Sequence, residues 1–523
     1  MSRSFIYRWG IYPLWFMLTV TIFFRNPVPI DETRYLSVAW EMWLQKQFWV
    51  PLLNGQAYSH KPPLLFWLFQ LGWAVFGVNE WWPKLVGPLC ALLNLHLLRW
   101  LALKLWPQQP SVSLLAPWVL MGTLLWSLFA TSMMFDILLS TCVLLGMLGN
   151  VLLFKGQKTQ GMLLLSLGLG LGLLAKGPVV FLHVLPTTLL AAYWTGGVSA
   201  NCWRYCFLSV LAGIGLALLW ALPAAWSGGR QYASAIFWTQ TADRTLASNI
   251  HARPVWWYAQ FTPLILFPWI IWWRFWLNLR ELSWSNADMG LRFSILWMLS
   301  GLLIFSVLPS KQIHYILPVL PAFALLVARI LLQRADFSYI IADYVVPATL
   351  GLMGVMLIFL PHLPGFSVLS WARNLGYGWG LSVCALAVGL TLSMLLWRLC
   401  LVQVFSAVTV ATLSLSILFF FNYNAAAYDL RPAAQQLAAY NQQHIVCAFV
   451  GNYQGQLHFL GRLQQILPTL TKEQVAEWAT EHPQGCLISM EKQKPSAAEF
   501  LQAHREYWLV FRRVEDITGL KPL

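Results

Sequence analysis

Ile30-Asp31-Glu32-Thr33-Arg34-Tyr35 follows an apolar run from Trp9 to Phe24, so two adjacent carboxylates stand at the water-facing end of a membrane-length segment. Charges are scarce here: 10% of residues are charged and 59% hydrophobic, against roughly 25% charged in soluble domains. Apolar runs of about 17 to 23 residues recur through the first 420 positions, and each can cross a hydrocarbon core of about 30 Å. The chain therefore reads as an α-helical polytopic membrane protein. The acidic pair sits where a reactant from water can meet one delivered by the bilayer.

The first run has Arg3 and Arg8 before it but Arg25-Asn26-Pro27 after it, with no small-residue cleavage pattern, so it reads as an uncleaved anchor. The expected crossings are 9–24, 84–105, 112–133, 134–154, 161–175, 178–194, 205–226, 255–276, 291–309, 313–331, 339–361, 377–397 and 401–421, thirteen in all. With Arg3 and Arg8 inside, the other inside ends carry Arg99 and Lys104, Lys155 and Lys158, Arg204, Arg274 and Arg280, Arg329 and Arg334, and Arg398. This obeys the positive-inside rule. The run Pro62–Val78 must then lie at the external interface, with Phe66, Trp67 and Trp73 at headgroup depth.

The net charge of +14 is thus read as topology and attraction to membrane lipids. No basic stripe with interleaved aromatics points to nucleic acid. Of eight cysteines, six lie in or beside apolar runs, including Cys202 and Cys206 in a short cytoplasmic loop. Cys447 and Cys486 lie in the polar tail and can form a disulfide in an oxidising compartment.

Residues 1–421 form the expected transmembrane domain, with an external loop at 25–83, and 422–523 a small α/β domain outside the membrane. Strands are expected at Ile445–Gly451, Cys486–Met490 and Tyr507–Arg512. Thr471-x-x-Gln474 and Ser496-x-x-Glu499 announce helices. No internal repeat supports a transporter of inverted halves.

The conspicuous polar residues all collect on the external side. Asp31 can simply cap the amphipathic segment Thr33–Gln45. Beside it, Asn54-Gly55-Gln56-Ala57-Tyr58-Ser59-His60-Lys61-Pro62-Pro63 brings an ammonium to headgroup level, where it can bind phosphate or merely snorkel. Asp136, in the turn between two crossings, must reach water or meet a cation. The loop from Asp243-Arg244 to His251-Ala252-Arg253 offers arginines for phosphate, and His251 can join His60 on a metal or be an ordinary interfacial histidine. Ser310-Lys311-Gln312-Ile313-His314-Tyr315 adds a cation and an imidazole in a polar turn.

Together, Asp31-Glu32, the stretch from Asn54 to Leu64, Asp136, Lys176-Gly177-Pro178 and the segment Ser310–Pro318 resemble the polyprenyl-phosphate-sugar-dependent glycosyltransferases of the C-type (GT-C) fold. Within these the chain is most similar to bacterial lipid A aminoarabinose transferases, which are akin to protein O-mannosyltransferases. The resemblance runs through nearly all of the first 330 residues.

The resemblance implies an inverting transfer of a sugar, an amino sugar or hexose, from an undecaprenyl-phosphate carrier on the periplasmic side of the bacterial inner membrane. Asp31 would be the catalytic acid with Glu32 its partner and Asp136 a third acid; Lys61, Arg244 and Lys311 would hold the carrier phosphate. Arg34, Tyr35, Tyr58, Arg253 and His314 complete the expected substrate contacts. The acceptor is lipid A or a related glycolipid, or a hydroxyl of an exported protein, for which Asp31 would act as base. A flippase for the lipid-linked sugar is the reading from another class.

The aminoarabinose transferases usually carry a zinc-associated Glu before the lysine of the Lys-Pro-Pro motif. Here the position is His60, so a divalent metal such as zinc rests on His60 and His251 alone.

Overall fold

The computed structural model describes residues 7–238, 252–282, 287–333, 341–366, 369–396, 400–496 and 498–517. Among them nine helices are long and apolar enough to cross a membrane, so the chain is a multi-pass membrane protein. They are Trp81–Leu105, Phe135–Phe154, Lys158–Lys176, Ala200–Trp238, Met289–Val307, Ile313–Leu331, Ile341–His362, Tyr377–Leu396 and Leu401–Tyr423, and each overlies an expected crossing.

The other four expected crossings are helical but broken. Ile11–Val20 tightens into a 3-10 turn over Thr21–Phe24. Pro110–Met121 and Leu124–Ala130 form a pair bent by 72°. Residues 178–194 split into Val179–Leu189 and Ala191–Thr195, and 255–276 into Trp257–Ile265 and Trp273–Arg280. Cys202 and Cys206, expected in a loop, lie in the opening turns of Ala200–Ser234.

The hairpin Phe135–Phe154/Lys158–Lys176 sets the site. Its helices touch backbone to backbone: a Cβ on Gly168 would stand 2.4 Å from Gly146 N. Only small residues permit that approach. The second helix ends at Gly177, whose φ of +75° favours glycine, and Pro178 then starts the next helix from a preset φ. Close packing and a sharp stop fix Lys176, the last helical residue, over the start of the first helix.

Outside the span bundle, Asp31–Leu44 buries Tyr35, Leu36, Val38, Ala39 and Met42, while Asp31 and Glu32 occupy its first turn, where the helix dipole favours negative charge. Asn54 and Gly55 turn a two-stranded hairpin, Leu52–Leu53 with Gln56–Ala57. Pro63 caps Leu64–Phe76, the expected interfacial helix. Phe66 and Trp73, however, are buried in protein rather than at headgroup depth. Phe66 packs on Tyr35, Tyr58 and Phe135, and Trp73 stacks on Phe459 at 5.3 Å.

The tail carries a five-stranded mixed sheet in the order Thr469–Leu470, Cys447–Val450, Cys486–Glu491, Tyr507–Arg513, Phe500–His504. The first three strands run parallel and the last two pairings are antiparallel. The three expected strands lie where the alternation placed them. Thr471-x-x-Gln474 does precede a helix, Val475–Glu481, and Gln474 Oε1 accepts from Thr471 N at 2.9 Å. The helix expected after Ser496 is instead the strand Phe500–His504, because its backbone is claimed by Tyr507–Arg513 and Glu499 pairs with Arg513. Cys447 and Cys486 face each other in register as buried thiols.

This tail is docked on the helix Asp31–Leu44 and the hairpin after it by directional contacts. Ser37 Oγ donates to Gly455 O at 2.5 Å, Trp40 Nε1 donates to Leu463 O at 2.8 Å, and Asn54 exchanges two hydrogen bonds with the Leu467 backbone.

Candidate active site

Two acids adjacent in sequence have opposite environments. Glu32 is buried, and its carboxylate accepts from Arg25 at 2.6 and 2.8 Å, from Val28 N at 2.8 Å and from Met133 N at 2.9 Å. These four bonds fill its acceptor sites. The expected chemical partnership with Asp31 does not follow, because Glu32 is a clamp between Arg25 after the first helix, the start of Asp31–Leu44 and the Thr131–Met133 turn. Asp31 instead keeps 54% of its side chain exposed and pairs with Arg34 one turn along.

Asp136 is 2% exposed and meets its cation in Lys176, Nζ to Oδ1 at 2.5 Å; its other oxygen faces His314 Nε2 at 3.9 Å. The Lys176 ammonium also stands over the Tyr315 ring at 4.7 Å, and Lys61 over Phe135 at 5.9 Å. Tyr35 meets Phe135 edge-on at 5.0 Å. Burial holds the Tyr35 phenol well above its usual value, so it stays neutral and keeps its proton to donate.

Lys61 and Lys176 line one cavity of about 480 Å³. Below them its wall is apolar, with Leu173, Leu182, Ile214, Leu218 and Phe305. A second cavity of about 360 Å³ is bounded by Arg34, Asn54, Gln56, Tyr58, Asn452 and Gln454, between the hairpin at Asn54 and the tail. Ser59 and His60 belong to both walls. One space suits an anionic head on an apolar chain, and the adjoining one a hydroxyl- and phosphate-rich group.

Other expected contacts fall elsewhere. Lys311 is buried, with Nζ donating to Leu308 O at 2.5 Å and Arg253 O at 2.9 Å. Its charge thus staples two loops, Ala252 bridging to Ser310, and is turned from both cavities. The Arg253 side chain is exposed and lines neither. Arg244 and His251 lie outside the described residues. Around His60 the described residues offer no group of three metal-ligating side chains, and no step is routed through a metal.

Three residues were not singled out as contacts from sequence. Lys176 was legible only as part of a turn motif. His183 lines the larger cavity, stacks on Phe305 at 4.5 Å, and has no partner for either ring nitrogen among the described residues; a histidine inside an apolar helix was its only signal. Gln454, which bonds Arg34, had none.

No family model matches the chain. It is 28% identical over 341 residues to the undecaprenyl phosphate-alpha-4-amino-4-deoxy-L-arabinose arabinosyl transferase 1 of Pseudomonas fluorescens, covering 62% of this chain and 60% of that one. Against the corresponding transferase of Erwinia tasmaniensis it is 26% identical over 375 residues, 68% of this chain and 66% of that one. The matches thus span about three fifths to two thirds of those relatives' length. The crystal structure of ArnT from Cupriavidus metallidurans bound to undecaprenyl phosphate superposes with a TM-score of 0.75 at 17% identity, covering 97% of each chain. The chain is therefore a sequence relative of the undecaprenyl phosphate-aminoarabinose arabinosyl transferases, and its fold is the GT-C fold of ArnT.

Proposed function

We propose that this protein transfers an amino sugar, 4-amino-4-deoxy-L-arabinose, from an undecaprenyl-phosphate carrier to lipid A at the periplasmic face of the bacterial inner membrane. The observation that carries this reading is the pair Lys61 and Lys176 at the polar end of an apolar-walled cavity, in a chain related to transferases named for that donor. The carrier phosphate sits by the two ammonium groups and its isoprenoid lies along the apolar wall.

In the transfer, the bond from the anomeric carbon to the carrier phosphate oxygen breaks and a bond to a lipid A phosphate oxygen forms on the opposite face. The leaving phosphate gains charge beside the two lysines, which favours the transition state over the bound donor. An acceptor phosphate is already ionised, so no base is needed. Asp31 orients the reactants through the cationic amine of the sugar, while Asp136 keeps Lys176 charged and aimed.

Mass spectrometry of lipid A from cells that supply the donor, expressing wild type or Asp31→Ala at equal membrane levels, tests this. An aminoarabinose increment with wild type, absent with the variant, is expected. A wild type that leaves lipid A unmodified overturns the reading, and sugar on exported proteins would then identify the acceptor.

A further inference from the structure

We propose that Gln454, in the tail, is a positioning residue for Asp31 and acts through Arg34; the inference rests on the glycosyl-transfer reading above. Arg34 Nη2 donates to Asp31 Oδ1, and Arg34 Nη1 donates to Gln454 Oε1 at 2.5 Å. Arginine has only donors, so the amide oxygen of Gln454 must face it. The guanidinium also lies over the Tyr35 ring at 5.5 Å.

An exposed ion pair such as Asp31–Arg34 holds its geometry poorly by itself, since two long side chains lose entropy to stay paired. The planar fork of arginine is fixed when two acceptors take two of its nitrogens. Gln454 is the second acceptor, and it is itself well held. Its N–H donates to Gln456 Oε1 at 3.0 Å, Gln456 is buried, and the next residue, Gly455, accepts from Ser37 at 2.5 Å. A rigid path thus runs from the docked tail to the exposed carboxylate. Removing Gln454 spares the docking contacts of Ser37, Trp40 and Asn54, so it loosens Arg34 without releasing the tail.

The test is steady-state transfer by the purified full chain from undecaprenyl-phosphate-linked aminoarabinose to lipid A. Gln454→Leu lowers kcat about tenfold with the donor KM within about twofold, the cost of a misdirected reactive group. Gln454→Glu, which keeps an acceptor oxygen for Arg34, retains kcat within about threefold of wild type. In an Arg34→Leu background, Gln454→Leu has no further effect, because a residue acting only through Arg34 has nothing left to act on.

An unchanged kcat in Gln454→Leu, or effects that multiply in the double variant, overturns the inference. If Gln454→Leu does not fold, Gln454→Ala is read by the same criteria. A wild type without transfer would instead defeat the proposed function.

Discussion

The two cavities that share Ser59 and His60 are built from opposite materials. The larger one is carved among membrane helices, and among the described residues its wall carries the charges of two lysines, one just before the Pro62-Pro63 pair and one at a glycine-terminated helix end. The smaller one lies between a hairpin and the docked sheet of the tail and, among the described residues, is lined chiefly by neutral amides and hydroxyls around a single arginine. A phosphate on an isoprenoid chain and the polar saccharide head of a glycolipid need such different hosts, because apolar chain is stabilised by area removed from water, whereas a saccharide is held by directional hydrogen bonds. Under the proposed function, this difference makes the membrane span and the tail the donor and acceptor half-sites, meeting at Ser59 and His60.

The sharpest way to break that division is at the buried pair on the lipid side. Lys176→Met leaves Asp136 as an uncompensated buried carboxylate, which costs about 3–5 kcal/mol. The unfolding midpoint in detergent should fall accordingly, and Asp136→Asn in the same chain should recover most of it. A Lys176→Met protein as stable as wild type would mean the pair is dispensable to the fold and its charge is held for substrate alone.

Lys61→Gln should act on the donor only. Loss of a charge-assisted hydrogen bond, worth about 1.5–3 kcal/mol, weakens undecaprenyl phosphate binding roughly 10- to 150-fold. The KM for lipid A should stay unchanged. A shift in lipid A affinity of the same size would dissolve the distinction between the cavities. On the other side, Asn452→Ala should raise the lipid A KM roughly three- to tenfold, the loss of one neutral hydrogen bond, while donor affinity stays fixed.

Much of the architecture was legible before any coordinates. Thirteen apolar segments each contain helix, since backbone groups in lipid must be satisfied within the segment. The breaks were not legible, because they depend on partners far along the chain. At the Gly122–Thr123 bend, Trp269 Nε1 donates to Val119 O at 2.9 Å and to Thr123 Oγ1 at 3.1 Å. The Ser496-x-x-Glu499 pattern failed for the same reason, a local cap outweighed by a sheet ladder.

At the site, residue type and spacing located the external cluster but not its pairings. Asp136 needed a cation, yet Lys176 is forty positions away and is delivered by glycine packing. Lys311 and Glu32 carry the expected charge but spend it on loop carbonyls, backbone amides and Arg25. Gln454 could be found only once the tail was seen to reach Arg34.

The smallest effect separates the half-sites by pH. Burial lowers the pKa of His458 to about 4 and that of His504 to about 4, both in the tail. Their unfolded values are near 6.5. Below about 6.5 the unfolded tail therefore binds protons that the folded tail does not, and stability falls as pH drops toward 4. Between pH 7 and 6 this amounts to about 0.7 kcal/mol for each histidine. His458 Nδ1 is bonded to Tyr453 Oη at 2.7 Å, and Tyr453 lines the polar cavity, so the acceptor half-site should feel the change first. Mild acidification should raise the lipid A KM before it alters undecaprenyl phosphate binding, and His458→Gln should flatten that dependence. Parallel loss of both affinities would instead mean that the tail and the membrane helices loosen as one cooperative unit.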